Sequence, residues 1–189
     1  MKTYQFVTEL ESLANNPHKK GELATLRRGL IMHDGNNPIM YQVIYPLLFK
    51  AIDVNKDEDY LLDKQRYLPV VCKLASLFTI HPSTNGSYKL NHNMGHHIRF
   101  AAGERVEAAE NRLKVLLDAD EDDLFDHLKH VISFIGSSKA NTQINYHSLF
   151  DALIYWNSEN RWIQKEWANG FWGYKSGNDS QSFKEVNNN

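Results

Sequence analysis

"DADEDDLFDHLKHVISFI", Asp118 to Ile135, decides the fold. Six acids occupy its first nine residues, and behind them Leu124, Leu128, Val131, Ile132 and Ile135 recur at intervals of three and four, the period of one helix face. Carboxylates at a helix N-terminus stabilise it through the macrodipole by about 0.3–1 kcal/mol each. The run therefore reads as a helix opened by its own acids. A calcium loop starting at Asp118 fails, because Asp123 stands at the sixth position and Lys129 at the twelfth where glycine and glutamate are needed.

The same period runs through most of the chain, and strict alternation is scarce. Tyr4, Val7, Leu10 and Leu13 predict a first helix; Leu23, Leu26 and Leu30 a second; "IMYQVIYPLLFKAI" a third, with Pro46 as a kink or boundary. Leu68–Ile80 predicts a continuous apolar helix, and Ile98, Ala102, Val106, Ala109, Leu113 and Leu116 one long helix weakened at Gly103. Leu149, Leu153 and Trp156 mark another, and Trp162 to Trp172 the last. The expected fold class is all-α, two small helical bundles packed into one elongated protein. "STNGSYKLNHNMG" supplies the boundary, giving an N-terminal bundle over 1–90, a C-terminal bundle over 91–174 and a polar, disordered tail over 175–189.

The totals narrow the function. A chain of 189 residues, 42% hydrophobic, supports a real core. A formal net charge of −2 argues against a generic basic nucleic-acid binder, although it averages over segments of opposite sign. The single cysteine, Cys72, lies in an apolar run, reads as a small buried hydrophobe and fits a reducing compartment. With no apolar N-terminal core and no stretch of about 18 apolar residues, a soluble cytoplasmic protein without membrane contact is expected. No glycine-rich phosphate loop, nucleophile elbow or kinase motif is present, and no cofactor is expected.

Two motifs invite chemistry. In "HNMGHH", His92 and His96 stand four apart beside His97, a spacing that suits a metal on one helix face. Asn93 occupies the place where the general-base glutamate of a zincin would follow His92, so the hydrolytic reading lacks its base. "DVNKDED" from Asp53 also fails as a calcium loop, with Glu58 sixth and Lys64 twelfth.

Basic residues remain. Lys19, Lys20, Arg27 and Arg28 against Glu22 give Lys19–Leu30 a net +3, and Lys89–Lys114, with Arg99, Arg105 and Arg112, a net +2. At about 100° per residue Arg27 falls at the edge of the leucine stripe, its stem expected on the core rim, and Arg28 projects to solvent. Segregated charge of this kind suits a helical protein that turns one face to phosphates.

The order of motifs carries a resemblance. "GELATLRRG", "NPIMYQVIYPLLF", "VCKLASLFTIHP", "NMGHHI", "AENRLKVLLDADEDDLFDHLKHVI", "INYHSLFDALIYW" and "WANGFWGY" follow one another as in the CasB family, the small subunit of the type I-E CRISPR Cascade surveillance complex, which the chain resembles from about residue 20 to about 174. The resemblance implies an all-helical, non-enzymatic subunit. Its implied partners are crRNA, the target and displaced DNA strands, the large and backbone subunits, and a second copy of itself. Arg27 and Arg28 match the family's paired arginines, and Arg112 one arginine of a Glu-Arg-Arg-apolar motif, with Glu110 as the acid and Asn111 in the other arginine's place. His96 follows a glycine where arginine is common, and Lys129 with His130 fills a basic pair. Trp156, Trp167 and Phe171 match an aromatic pattern expected in the core. Together with Lys19, Lys20 and Arg99 these basic residues form the expected nucleic-acid-binding set. Two other classes stay open: a metal-dependent hydrolase on His92, His96 and His97, and a helical scaffold that binds only protein.

Overall fold

Asp120, with extended backbone, caps the decisive helix: its carboxylate accepts the N–H groups of Asp122 (3.1 Å) and Asp123 (3.0 Å). Replacing such a cap costs about 1 kcal/mol. The helix runs Glu121–Gly136, and Leu124, Leu128, Val131, Ile132 and Ile135 are all buried, as their spacing predicts. The computed structural model describes residues 3–51, 60–83, 91–140 and 142–173. "DVNKDED", most of "STNGSYKL" with Lys89, and the tail from residue 174 lie outside the described residues.

Nine α-helices and no strand occur among the described residues: α1 (Thr3–Asn15), α2 (Lys20–Arg27), α3 (Tyr41–Ala51), α4 (Tyr60–Phe78), α5 (Met94–Ala102), α6 (Val106–Asp118), α7 (Glu121–Gly136), α8 (Tyr146–Tyr155) and α9 (Trp162–Trp172). The fold is all-α, and none of these helices is long and apolar enough to cross a membrane.

Four expectations about helix limits need correction. The long helix expected through Gly103 is two: Gly103 takes φ +53°, a backbone state open to glycine, and α6 turns back to pack along α5. The second helix ends at Arg27 and tightens into a 3-10 turn, Arg28–Ile31, which brings Gly29 against α4. A Cβ on Gly29 would fall 2.0 Å from Ser76 Oγ and 2.7 Å from the Gly35 carbonyl oxygen, so this approach requires glycine. Pro46 is no boundary, for α3 continues through it; α4 likewise starts at Tyr60, well before Leu68, and contains Pro69. Both prolines are exposed, so the carbonyl that each leaves without a helix donor lies on the solvent side.

The buried side chains form one continuous core. α1 lies on α3 and α8, α4 on α2, α7 and α8, and α5 on α6, α7 and α9. Thus α8, from the second half of the chain, packs against helices of the first. The segment before α8 is tied to the end of α4 by His81 Nε2–H to the Thr142 carbonyl (2.8 Å), Tyr146 O–H to the His81 carbonyl (2.8 Å) and Ser83 O–H to Gln143 Oε1 (2.9 Å). Trp156, Trp167 and Phe171 are core residues; the two indoles lie 5.1 Å apart, and Trp156 Nε1–H donates to the Ala119 carbonyl at 3.0 Å. Cys72 is fully buried, and burial, reinforced by the charge of Asp34, pushes its thiol up to about 12.

Candidate nucleic-acid interface

Arg27 and Arg28 stand where α2 tightens into its 3-10 turn. Leu26 and Gly29 point inward there, and Ser76 of α4 clasps the turn with its single hydroxyl proton shared between the Cys72 carbonyl of its own helix (2.8 Å) and, more weakly, the Leu26 carbonyl (3.3 Å). The two intervening arginines are thereby forced outward. Both are exposed, and among the described residues neither guanidinium has an ion pair or hydrogen bond. Arg27, expected with its stem on the core rim, ends α2 as an exposed residue, as Arg28 is. Lys20 is exposed as well, whereas Lys19 is ion-paired with Glu22.

Lys129 reaches this turn from α7. Its Nζ donates to the Leu30 carbonyl (3.3 Å), pairs with Asp126 and sits 5.1 Å over the Phe125 ring. Asp126 also meets His33 Nδ1 at 3.0 Å, and the hydrogen bond from Lys129, followed by that from His33, holds its carboxyl below the usual range. Lys129 is thus a bracket between α7 and the arginine turn, and His130 beside it is exposed. The 3.3 Å bond ties the 3-10 turn to α7 at Leu30, two residues after Arg28.

Arg112 is exposed on α6; it donates to the Ala108 carbonyl (2.8 Å) and lies over the Phe134 ring of α7 at 4.7 Å. Glu110, its expected acid neighbour, pairs with Lys114 instead (2.6 Å). Arg99 is half-buried on α5.

The histidine motif has been absorbed by packing. Asn93 and His96 form a reciprocal cap at the start of α5, with the His96 N–H on Asn93 Oδ1 and the Asn93 N–H on His96 Nδ1, each 3.3 Å. Asn93 Nδ2 also donates to the Glu166 carbonyl of α9 at 2.9 Å. A Cβ on Gly95 would fall 1.8 Å from the Trp167 carbonyl oxygen, and one on Gly170 2.3 Å from Asn93 Oδ1. "NMGHH" and "WANG" are therefore the two sides of one close helix contact. His97 is buried, and its Nε2 accepts the Asn145 N–H (3.0 Å), leaving its proton on Nδ1. Burial, with the neighbouring charges of His92 and His96, lowers its pKa to about 3. His92 stacks 5.1 Å from His96, yet no group of three His, Cys, Asp or Glu side chains among the described residues is arranged to hold a metal.

The expected binding set left out Asp126 and His33, 93 positions apart, and Arg105, whose guanidinium also lies over Phe134, at 5.0 Å. Only for Arg105 was a signal present: it precedes Arg112 by seven residues, two helical turns.

Comparison with known proteins agrees with the motif order. The family model of CRISPR-associated protein Cse2 matches residues 22–172. A curated relative, CRISPR-associated protein Cse2 of Thermus thermophilus, is 24% identical over 185 residues, covering 96% of each chain. Among solved structures, CasB from Thermus thermophilus superposes with a TM-score of 0.68 at 22% identity (91% of this chain, 98% of that one). The CasB of M. ruber gives 0.64 at 22% identity, covering 97% of each chain. A chain of a CRISPR RNA-guided surveillance complex gives 0.60 at 18% identity (89% and 94%).

Proposed function

This chain belongs to the CRISPR-associated Cse2 family, and from that premise we propose that it is the non-catalytic small subunit of a type I-E Cascade ribonucleoprotein in the cytoplasm. It binds nucleic-acid backbones without reading sequence and so steadies crRNA, target strand and displaced strand in antiviral defence. Two copies sit against the large and backbone subunits. Guide pairing specifies the target in such a complex, so the protein needs only a fixed cationic track.

The observation that carries this reading is the arginine pair: two exposed cations without acid partners among the described residues, held outward by the Gly29–Ser76 clasp beside α7. Lys20 on α2 and His130 on α7 are exposed cationic or titratable positions that the track would include. Arg99 and His96 stand on α5, and Lys19 and Lys129 contribute after exchange of their carboxylate partners for phosphate.

A titration of the purified chain with labelled single-stranded DNA, duplex DNA and RNA across a salt series tests the proposal. Affinity indifferent to sequence and falling steeply with salt is expected, with a slope that counts the phosphates engaged. Absence of binding at low salt, or affinity that salt leaves unchanged, overturns it. The latter result would favour a scaffold that binds only protein, a reading supported by the exposed apolar side chains of Ile31 (83% exposed), Met32 and Ile39 near the arginines.

A further inference from the structure

Two imidazoles of opposite polarity hold the strap 142–145 that leads into α8. From the end of α4, His81 Nε2–H donates to the Thr142 carbonyl (2.8 Å), Ser83 O–H donates to Gln143 Oε1 (2.9 Å), and the His81 carbonyl accepts the Tyr146 O–H (2.8 Å). The buried Tyr146 ring also meets Phe78 of α4 edge-on, with 4.9 Å between centroids. From α5, buried His97 turns its Nε2 to the Asn145 backbone N–H (3.0 Å). Asn145 is in addition the cap of α8, its side chain accepting the Ser148 N–H at 3.1 Å. The strap thus joins α5, which lies on α6, α7 and α9, to α8, which lies on α1 and α4.

The chemistry of the two sides differs. A ring nitrogen that carries a proton donates to a carbonyl whether the imidazole is neutral or charged, whereas one that accepts an N–H loses its lone pair on protonation. His81 therefore holds in either state, and His97 holds only while neutral. A protonated His97 would set its own N–H against that of Asn145 and leave an unpaired charge in the core. The titratable groups acting on His97 are His92 just before α5, His96 on it and His81 at the end of α4, and all three oppose its proton. The His92 backbone favours the proton, and among the described residues no carboxylate of α6, α7, α8 or α9 does.

We propose that the His97–Asn145 bond is an acid-released latch between α5 and α8, with the His81 side of the strap as its fixed hinge. Protonation of His97 breaks the latch and frees the α8 cap from α5, while the strap stays tied to α4. The latch is independent of any nucleic acid.

Amide hydrogen exchange of the full chain tests it, followed residue by residue by NMR from about pH 7.5 to about pH 4.5 and corrected for the intrinsic pH dependence of exchange. The His97 ring titrates at about 3 when latched and returns to about 6.5 when released, so opening becomes about tenfold more populated per pH unit below 6.5. Protection of the Asn145 amide should therefore fall about a hundredfold over the range. At every pH Asn145 should also exchange at least about tenfold faster than Leu128 in the middle of α7, because release of the latch is a local opening. His97→Gln, whose amide oxygen can accept the same N–H without titrating, should flatten the Asn145 profile. His81→Gln, whose amide still donates, should leave it steep. Asn145 protection that is flat with pH in the wild-type chain overturns the latch, whether or not the variants fold. Equal protection of Asn145 and Leu128 overturns it too, since the strap would then open only with the whole fold, as does a steep profile that survives His97→Gln.

Discussion

The arginine turn and the histidine motif look alike as sequence: each is a short cluster of basic side chains around a glycine. The structure treats them in opposite ways. At Arg27–Arg28 the glycine that follows is pressed against Ser76, and the cations are turned out. At His96–His97 the glycine that precedes is pressed against the Trp167 carbonyl, and the imidazoles are turned into a helix cap and a buried hydrogen bond. A close backbone approach fixes both clusters. Whether basic side chains serve a ligand or the fold depends on which side of that approach they fall.

The comparison breaks most directly at the glycines. Gly95→Ala places a methyl on the Trp167 backbone, where nothing flexible yields, and should cost about 3 kcal/mol or more. Urea unfolding measures it; a loss under 1 kcal/mol would mean that α5 and α9 part easily and that the histidine motif is not locked by packing.

Arg27→Gln with Arg28→Gln should do the reverse, leaving stability within about 0.5 kcal/mol of the parent while cutting the salt slope for DNA by about two contacts. Equal slopes, or a melting point several degrees lower, would make the arginine turn structural.

Acid separates the two regions next. His97 is folded neutral with its pKa lowered to about 3, against 6.5 for the free side chain. Between those values the unfolded chain binds the extra proton, so this contribution is whole above pH 6.5 and drains away as pH falls toward 3. Asp126, also held low, adds loss in the same direction at the acid end. Stability should fall steadily from pH 7 to pH 5, and His97→Gln should flatten that fall whatever it does to stability at pH 7. A parallel pH profile in the variant would show that His97 does not titrate with unfolding.

Lys129→Gln sharpens the contrast with the smallest effect. Because its Nζ is engaged by the Leu30 carbonyl and Asp126, a loss of about 1 kcal/mol of stability is expected, with a smaller change in DNA affinity than the arginine pair produces.

Helix periodicity, the acid-rich opening of α7 and the burial of Trp156, Trp167 and Phe171 were legible along the chain, because each depends on neighbours within a few residues or on hydrophobic stripes of fixed period. The break at Gly103 was less so: a weak helix former in a sustained apolar pattern reads as a dent, and only the return of α6 along α5 makes the turn favourable. Of the candidate site, the exposed character of Lys20 and Arg28 followed from the helical wheel. The outward turn of Arg27, the capture of His96 and His97, and the conversion of Lys129 into a bracket did not, since each is set by a partner at long separation: Ser76, α9 with Asn145, and the Leu30 carbonyl.

By itself, then, the sequence determined the all-helical class, most of the core stripes and the family, all carried by local spacing and motif order. Tertiary structure alone decided which basic residues remain free, because that depends on which backbones meet at Gly29 and Gly95 and on whether a carbonyl, a carboxylate or solvent lies at the end of each side chain.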